Sequence, residues 1–256
     1  MNATTIILDL DNTLLRSDKA ISAYTISVLG ACQRAGVKVV FATARSVRAS
    51  ARMLSQFSPD IFIGYGGSLA QTANRDVIYR SDIPAEVSLA LIGECLKTPE
   101  VSYIYAVHEN DALTNDSRLS AATDYTHYRY VDFSHMPSAS YLKVSVEATC
   151  PGAVGRIAAN YLVCDMLRFA GEDLYRFANR AATKWNAIKA VSEQFNICPS
   201  TFIAFGDDRI DMEMLQNCGT GVAVANAIPD VRAVANQICD TNENDGVAKW
   251  LAANVL

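Results

Sequence analysis

Residues 4–8, Thr-Thr-Ile-Ile-Leu, form an unbroken β-branched and aliphatic run that stops at Asp9-Leu10-Asp11-Asn12-Thr13. A run this short and this apolar reads as a strand buried on both faces, the pattern of a parallel sheet covered by helices. Side chains alternate along extended backbone, so Asp9 and Asp11 fall on the same side just past the strand end. Two carboxylates held that close repel each other unless something positive sits between them. The stretch therefore asks for an α/β fold with a charged site at the carboxyl end of a strand, where open sheets of this kind bind ligands.

The following residues keep that rhythm. A helix is expected over 22–35, closed by Gly36 in the position of a C-terminal cap. Residues 37–41 read as a second buried strand, ending at Ala42-Thr43-Ala44-Arg45-Ser46, and a helix follows to about Phe57. Residues 61–64 give a third strand, followed by the loop Tyr65-Gly66-Gly67-Ser68. Short strands alternating with helices predict a Rossmann-like, doubly wound parallel sheet.

The order changes near residue 80. Segments 69–71 and 76–79 read as a hairpin leading out of the sheet. A helix at 85–96, a strand at 101–107, a polar and aromatic stretch over 109–137, a strand at 141–147, a helix at 152–169 and a strand at 173–177 then predict an α+β module with an antiparallel sheet. All three histidines, His108, His127 and His135, fall here. The α/β rhythm resumes with a helix over 183–195 and a buried strand at 201–205 that ends at Gly206-Asp207-Asp208. A helix carrying Met212 and Leu215, a strand at 221–224, a helix from Pro229 and a last helix at 247–253 complete the chain. The expected organisation is a discontinuous α/β core, residues 1–81 with 179–256, and an inserted α+β cap domain at 82–178.

Acidic or hydroxyl residues stand at three strand ends of that core: Asp9 with Asp11, Thr43, and Asp207. Taken singly each is an ordinary turn or helix-cap residue, and Asp207, Asp208 and Asp211 could simply decorate a helix N-terminus. Taken together they surround one point, and Lys184 at the start of a core helix adds a positive charge. A hard divalent cation with oxygen ligands suits such carboxylates, and Mg²⁺ is the usual ion beside phosphate. Metal and lysine would leave the site able to accept a phosphate dianion.

Composition narrows the remaining classes. Half of the 256 residues are hydrophobic and 19% are charged, which fits a chain with a real core rather than a disordered one. The net charge of −5 does not give the basic face that nucleic acid requires. No apolar run approaches a membrane span. The start, MNATTIILDL, has no basic region before its apolar run, so no secretory signal is expected and a cytoplasmic location is. The seven cysteines are scattered singly from Cys32 to Cys239 and form no CxxC, which points to reduced thiols.

Asp9-Leu10-Asp11-Asn12-Thr13-Leu14 resembles the first motif, DxDxT, of the haloacid dehalogenase superfamily. Thr43, Lys184 and Gly206-Asp207-Asp208-Arg209-Ile210-Asp211 look like its second, third and fourth motifs. The tail Gly221-Val222-Ala223-Val224-Ala225-Asn226-Ala227 and Asn244-Asp245-Gly246-Val247 is similar to the Cof-like hydrolases, a phosphatase branch of that superfamily. The resemblance implies a phosphoaspartyl mechanism: Asp9 as nucleophile, Asp11 as acid and then base, and Thr43 with nearby backbone N–H groups such as that of Ala44 holding the phosphoryl oxygens. It implies that Lys184 orients Asp9 and binds phosphate. Mg²⁺ would lie on the Asp9 carboxylate, the Asp11 backbone carbonyl and Asp207, with Asp208 or Asp211 holding metal-bound water.

Thr43 and Lys184 are 141 positions apart, far beyond the roughly 30 residues of a βαβ unit. In the family an insert at this point is a cap over the active site, which implies that residues 82–178 decide which small phosphate ester is cleaved, with Arg45 contributing to substrate binding from the core. Three positions depart from the family pattern: Ile210 stands where Asn is usual, Trp185 where Gly commonly follows the lysine, and Tyr65 where Asn often precedes Gly66. Ile210 and Trp185 motivate a competing reading, a capped phosphate-binding protein that no longer turns over; a phosphotransferase or mutase is another. Retention of both Asp9 and Asp11 favours turnover, because binding alone needs no acid or base. A dinucleotide-binding oxidoreductase is disfavoured, since the first strand leads into DxDNT and not a glycine-rich turn.

Overall fold

Strand β1 (Thr5–Leu8) is buried along its whole length, and the first segment of the chain builds outward from it. In the computed structural model, which describes residues 3–109, 111–120, 128–134, 138–169 and 171–256, β1 is followed by α1 (Ala23–Arg34), β2 (Lys38–Ala42), α2 (Ala51–Leu54), β3 (Ile61–Gly64), β4 (Leu69–Thr72) and β5 (Val77–Arg80). The middle segment holds α3 (Ala85–Lys97), β6 (Val101–Val107), β7 (Ala112–Thr114), α4 (Ser117–Ser120), β8 (Tyr128–Tyr130), β9 (Lys143–Ala148), α5 (Pro151–Asn160), β10 (Cys164–Arg168) and β11 (Leu174–Asn179). The last segment holds α6 (Lys184–Phe195), β12 (Phe202–Gly206), α7 (Met212–Asn217), β13 (Thr220–Val224), α8 (Pro229–Val234), β14 (Gln237–Cys239) and α9 (Gly246–Asn254). By contacts the chain divides into one unit of Met1–Arg80 with Thr183–Leu256 and a second of Ser81–Ala182.

The first unit carries an eight-stranded sheet in the order β14-β13-β12-β1-β2-β3-β4-β5. β1 lies parallel between β2 and β12, with Leu8 level with Phe41 on one side and Phe205 on the other. The chain runs outward from β1 in one direction through β2 and β3, then resumes on the other side with β12. This is a topological switch point, and it brings the carboxyl ends of β1, β2 and β12 side by side. Helix α1 shows why the flanking elements form where they do. Ser22 accepts a hydrogen bond from the Thr25 backbone N–H as N-cap, and Thr25, Val28, Leu29 and Cys32 repeat at helical spacing to give the buried stripe. Gly36 then takes φ +82°, the left-handed turn that ends the helix.

The second unit has a six-stranded sheet, β10-β11-β9-β6-β7-β8, antiparallel except that β7 and β8 run parallel. Its two faces differ in chemistry. Ile104, Val144, Val146, Tyr175 and Phe177 cluster with Leu91, Ile92 and Cys95 of α3 and Val154 and Ile157 of α5. The alternating positions Tyr105, Lys143, Ser145, Glu147 and Arg176 make the opposite face polar.

Several elements differ from the sequence reading. The helix expected to reach Phe57 is a 3₁₀ turn, Arg48–Ser50, and the short α2; Ser46 Oγ accepts from the Ala49 N–H in the manner of an N-cap, and Ser55 Oγ donates to the Arg52 carbonyl at the other end. The 69–71 and 76–79 hairpin does not leave the sheet; β4 pairs antiparallel with β3 and buries Leu69 and Ala70 there. The helix drawn over 152–169 ends at Asn160, and residues 164–168 are an edge strand pairing with β11. The stretch 109–137 contains β7, α4 and β8, and β14 adds a short edge strand that the sequence pattern does not predict. His127 and His135 lie outside the described residues; His108 sits edge-on to Tyr141 with ring centres 6.5 Å apart.

No helix among the described residues is long and apolar enough to cross a membrane. The seven cysteines are free thiols of unequal burial. Burial pushes Cys95, Cys218 and Cys239 up to about 12, whereas exposed Cys198 accepts a hydrogen bond from Ser200 Oγ that lowers its pKa. Brief alkylation of the native protein at neutral pH should therefore modify Cys198 well before those three, as read by peptide mass spectrometry. Labelling of Cys218 at the rate of Cys198 would contradict this burial pattern.

Candidate active site

The backbone keeps sheet register for one residue past β1, where the Asp9 N–H donates to the Phe205 carbonyl at 3.1 Å. It then makes a wide turn over Leu10–Leu14, in which Asp11 stays extended and Asn12 takes φ 58°. Asparagine tolerates that left-handed conformation, and Asn226 Nδ2 secures it by donating to the Asn12 carbonyl at 2.7 Å. The turn carries the Thr13 hydroxyl to Asp207 Oδ1 at 2.8 Å, so the end of β1 and the end of β12 are tied through buried side chains. Thr13 and Asn226 stand in the sequence only as members of motifs, and the fold gives them these contacts.

Lys184 opens α6, whose N-cap Thr183 accepts from the Asn186 N–H. Its ammonium donates to Asp9 Oδ1 and to Asp211 Oδ1, each at 2.6 Å, and its side chain is only 1% exposed. Asp211 Oδ2 in turn accepts from the backbone N–H groups of Asp207 and Asp208 at 3.1 and 3.2 Å. Two glycines make the approach possible. A Cβ on Gly206 would lie 2.4 Å from the Asp211 Cβ. One on Gly67 (φ +104°) would lie 2.2 Å from the Thr183 carbonyl carbon, so only glycine lets this loop reach the start of α6.

Asp9, Asp207 and Asp211 each offer a carboxylate oxygen within 4.8 Å of the others, and all three are buried. One lysine faces three carboxylates, and the electrostatics reflect the deficit. Burial, with the neighbouring Asp211 and Asp207, raises Asp9 well above the usual carboxylate range despite Lys184. Asp207 is raised to about 6, by burial first and by Asp211. Burial disfavours the Lys184 ammonium, but Asp211 and Asp9 overcome this and hold its pKa above the ordinary value. The donor set is all oxygen and lacks positive charge, which is the chemistry of a hard divalent cation site.

The other expected residues are placed as follows. The Asp11 side chain does not join the carboxylate cluster. It pairs with Arg45 Nε and Nη2 at 2.6 Å each and with Lys19 Nζ at 3.0 Å. Burial opposes its ionisation, but those hydrogen bonds prevail and keep it below the usual carboxylate range. Arg45, expected to bind substrate from the core side, and Lys19 are the cations beside Asp11 in this structure. Thr43 is fully buried; its N–H donates to Ile63, and its Oγ1 accepts from the Arg45 N–H at 3.1 Å, beside half-buried Ala44. Exposed Asp208 accepts from the Arg209 N–H and caps the turn Arg209–Asp211, so its carboxylate is not among the clustered ones. Trp185 packs half-buried against the hydrophobic core, and Tyr65 is buried at φ 56°, a conformation asparagine adopts more readily.

Comparison with known proteins bears on the fold and the family. Over 98% of this chain and 98% of the other, the fold matches a haloacid dehalogenase subclass IIB sugar phosphatase, BT4131, with a TM-score of 0.82 and 23% identity. The 5-amino-6-(5-phospho-D-ribitylamino)uracil phosphatase YitU of Bacillus subtilis (strain 168) is 26% identical, covering 96% of this chain and 95% of its own. An HMP-PP phosphatase of Citrobacter koseri is 24% identical over 88% and 85%. The family model of haloacid dehalogenase-like hydrolases matches residues 6–251, and the chain belongs to that family.

Proposed function

We propose that this protein is a Mg²⁺-dependent phosphatase that hydrolyses a small phosphorylated metabolite through an aspartyl-phosphate at Asp9. The observation that carries this reading is the buried Asp9–Lys184–Asp211 contact set at 2.6 Å, beside Asp207 and at the carboxyl end of the central strand. It is supported by the names of the compared proteins, two phosphatases and a sugar phosphatase. We extend the same reading to a cytoplasmic enzyme with a small phosphate ester as its partner, and to recognition of the rest of the substrate by the inserted unit.

In this mechanism a carboxylate oxygen of Asp9 attacks phosphorus while the P–O bond to the alcohol breaks. Asp11 delivers a proton to the departing oxygen, then takes one from the water that attacks the acyl phosphate, releasing inorganic phosphate and restoring Asp9. Arg45 and Lys19 hold Asp11 ionised in the resting protein, the state needed for the second step; the first requires a proton at Asp11 and hence a loosening of those pairs as substrate enters. Lys184 fixes the orientation of Asp9 and offsets negative charge, and Asp211 positions that lysine. The Thr43 hydroxyl, which accepts from the Arg45 N–H, keeps its proton to donate to a phosphoryl oxygen alongside the Ala44 N–H. Asp9, Asp207 and the Asp11 backbone carbonyl are the groups proposed to hold Mg²⁺, with Asp211 or Asp208 on its water. When bound, the ion supplies positive charge to the phosphoryl oxygens and relieves the carboxylate repulsion.

The test is hydrolysis of a panel of phosphorylated metabolites with and without chelator. Activity should vanish in EDTA and return with Mg²⁺, and Asp207→Ala should raise the Mg²⁺ concentration for half-maximal rate roughly tenfold or more, as loss of a metal-orienting group does elsewhere. Hydrolysis that persists in chelator would remove the metal from the mechanism.

A further inference from the structure

Two backbone carbonyls of the first unit's site, those of Asn12 and Asp207, are held from one loop, the one that leaves β13. That loop turns at Val224–Ala227, where the Ala227 N–H donates to the Val224 carbonyl at 2.9 Å. Asn226 Nδ2 donates to the Asn12 carbonyl at 2.7 Å, and the Ile228 N–H donates to the Asp207 carbonyl at 3.0 Å. The Thr13 hydroxyl donates to Asp207 Oδ1 at 2.8 Å. These three bonds close a ring that runs from the turn after β1 to the end of β12, on to the loop after β13, and back. Asp207 in that ring is a proposed cation ligand, and Asn12 follows Asp11, whose carbonyl is another.

Asn226 is the exposed member of the ring, and its amide is engaged at both ends. Oδ1 accepts from the Asn242 N–H at 3.0 Å, and buried Asn242 directs its own Nδ2 to the Leu15 carbonyl at 2.9 Å. An amide whose oxygen is taken by an N–H presents its nitrogen to the remaining acceptor, which here is Asn12. That acceptor sits in a turn that needs support. Asn12 has φ 58° and ψ 2°, and Asp11 has ψ 128°. Outside glycine the left-handed conformation is a minority one. The rigid peptide plane between Asp11 and Asn12 carries the Asp11 carbonyl, and ψ of Asp11 with φ of Asn12 sets its tilt. A return of Asn12 to negative φ would rotate that carbonyl and displace Thr13 from Asp207.

We propose that Asn226 is a positioning residue for the cation site. By holding the Asn12 carbonyl it fixes the left-handed turn, and through the turn it sets the Asp11 carbonyl and the Thr13–Asp207 contact before a cation arrives. This rests on the reading of Asp9, Asp207 and the Asp11 carbonyl as cation ligands.

The test measures Mn²⁺ binding to the whole protein without substrate, with free Mn²⁺ counted by electron paramagnetic resonance; Mn²⁺ suits the same oxygen donors as Mg²⁺. Asn226→Ala should weaken binding roughly tenfold, the scale on which groups behind metal ligands act. Its urea midpoint should stay close to that of the wild type, because Asn226 is exposed. In turnover the loss should appear as a higher Mg²⁺ requirement, with kcat recovering at saturating Mg²⁺ and the substrate KM unchanged. Asn12→Val leaves Asn226 in place but resists positive φ, and it should weaken Mn²⁺ binding by a similar factor. Glycine takes positive φ without steric cost, so adding Asn12→Gly to Asn226→Ala should restore most of the affinity. Unchanged affinity in Asn226→Ala or in Asn12→Val overturns the proposal and leaves the cation site standing. So does a loss in Asn226→Ala that Asn12→Gly does not repair, since Asn226 would then act by a route other than this turn. A wild-type protein that binds no Mn²⁺ defeats the cation site itself, and the proposal with it.

Discussion

Replacing Asp9 by asparagine should abolish hydrolysis, by roughly 10⁴-fold or more in kcat, on the scale seen when a catalytic nucleophile is deleted, while leaving the protein folded. The amide has the shape of the carboxylate but cannot form the acyl phosphate. It keeps an oxygen that can accept from Lys184, as Asp9 Oδ1 does at 2.6 Å. Burial raises the pKa of Asp9, so its ionised form costs the fold stability at neutral pH, and that cost falls as pH drops and the carboxyl protonates. The neutral amide removes it. The circular dichroism spectrum should be unchanged, and the urea midpoint should hold or rise. A folded Asp9→Asn protein with near-wild-type turnover would contradict the nucleophile assignment.

Lys184→Met should be the most destabilising single change in the site. The substitution leaves Asp9 and Asp211 facing each other and Asp207 without their common cation, all buried. Removing one partner of a buried ion pair costs about 3–5 kcal/mol, because the charge left behind is uncompensated. Adding Asp211→Asn should recover part of the loss. The amide oxygen can still accept from the Asp207 and Asp208 N–H groups that now bond Asp211, and one buried charge is gone. Urea unfolding of the single and double variants checks this. Strictly additive destabilisation would mean that the three groups do not form one network.

What the sequence makes legible follows from how each contact is encoded. β1, β2, β3 and β12 are buried on both faces, so each appears as a continuous apolar run whose end locates a strand end. That is enough to bring Asp9, Thr43 and Asp207 together at a switch point. The boundary between α5 and β10 is not legible. Met166, Leu167 and Arg168 suit a helix as well as a strand, and no glycine or proline marks the break after Asn160. β14 is three residues long, too short for any period to show. The partners of Asp11 escape for a different reason. Arg45 and Lys19 reach it only through the folded arrangement of the β1 turn and the β2 end, and a charge pair across that distance leaves no pattern in one sequence. Asp211 reads as a helix-start residue, which it also is, and only the missing Cβ at Gly206 hints that it folds back into the cluster.

The most direct measurement is trapping the covalent intermediate. Acid quenching during turnover, followed by borohydride reduction and peptide mass spectrometry, converts an aspartyl-phosphate to homoserine at the residue that carried it. The account predicts homoserine at position 9 in the wild-type protein, dependent on substrate and Mg²⁺, and none at Asp11, Asp207 or Asp211. Turnover with no trapped acyl phosphate, or homoserine at another aspartate, would contradict it.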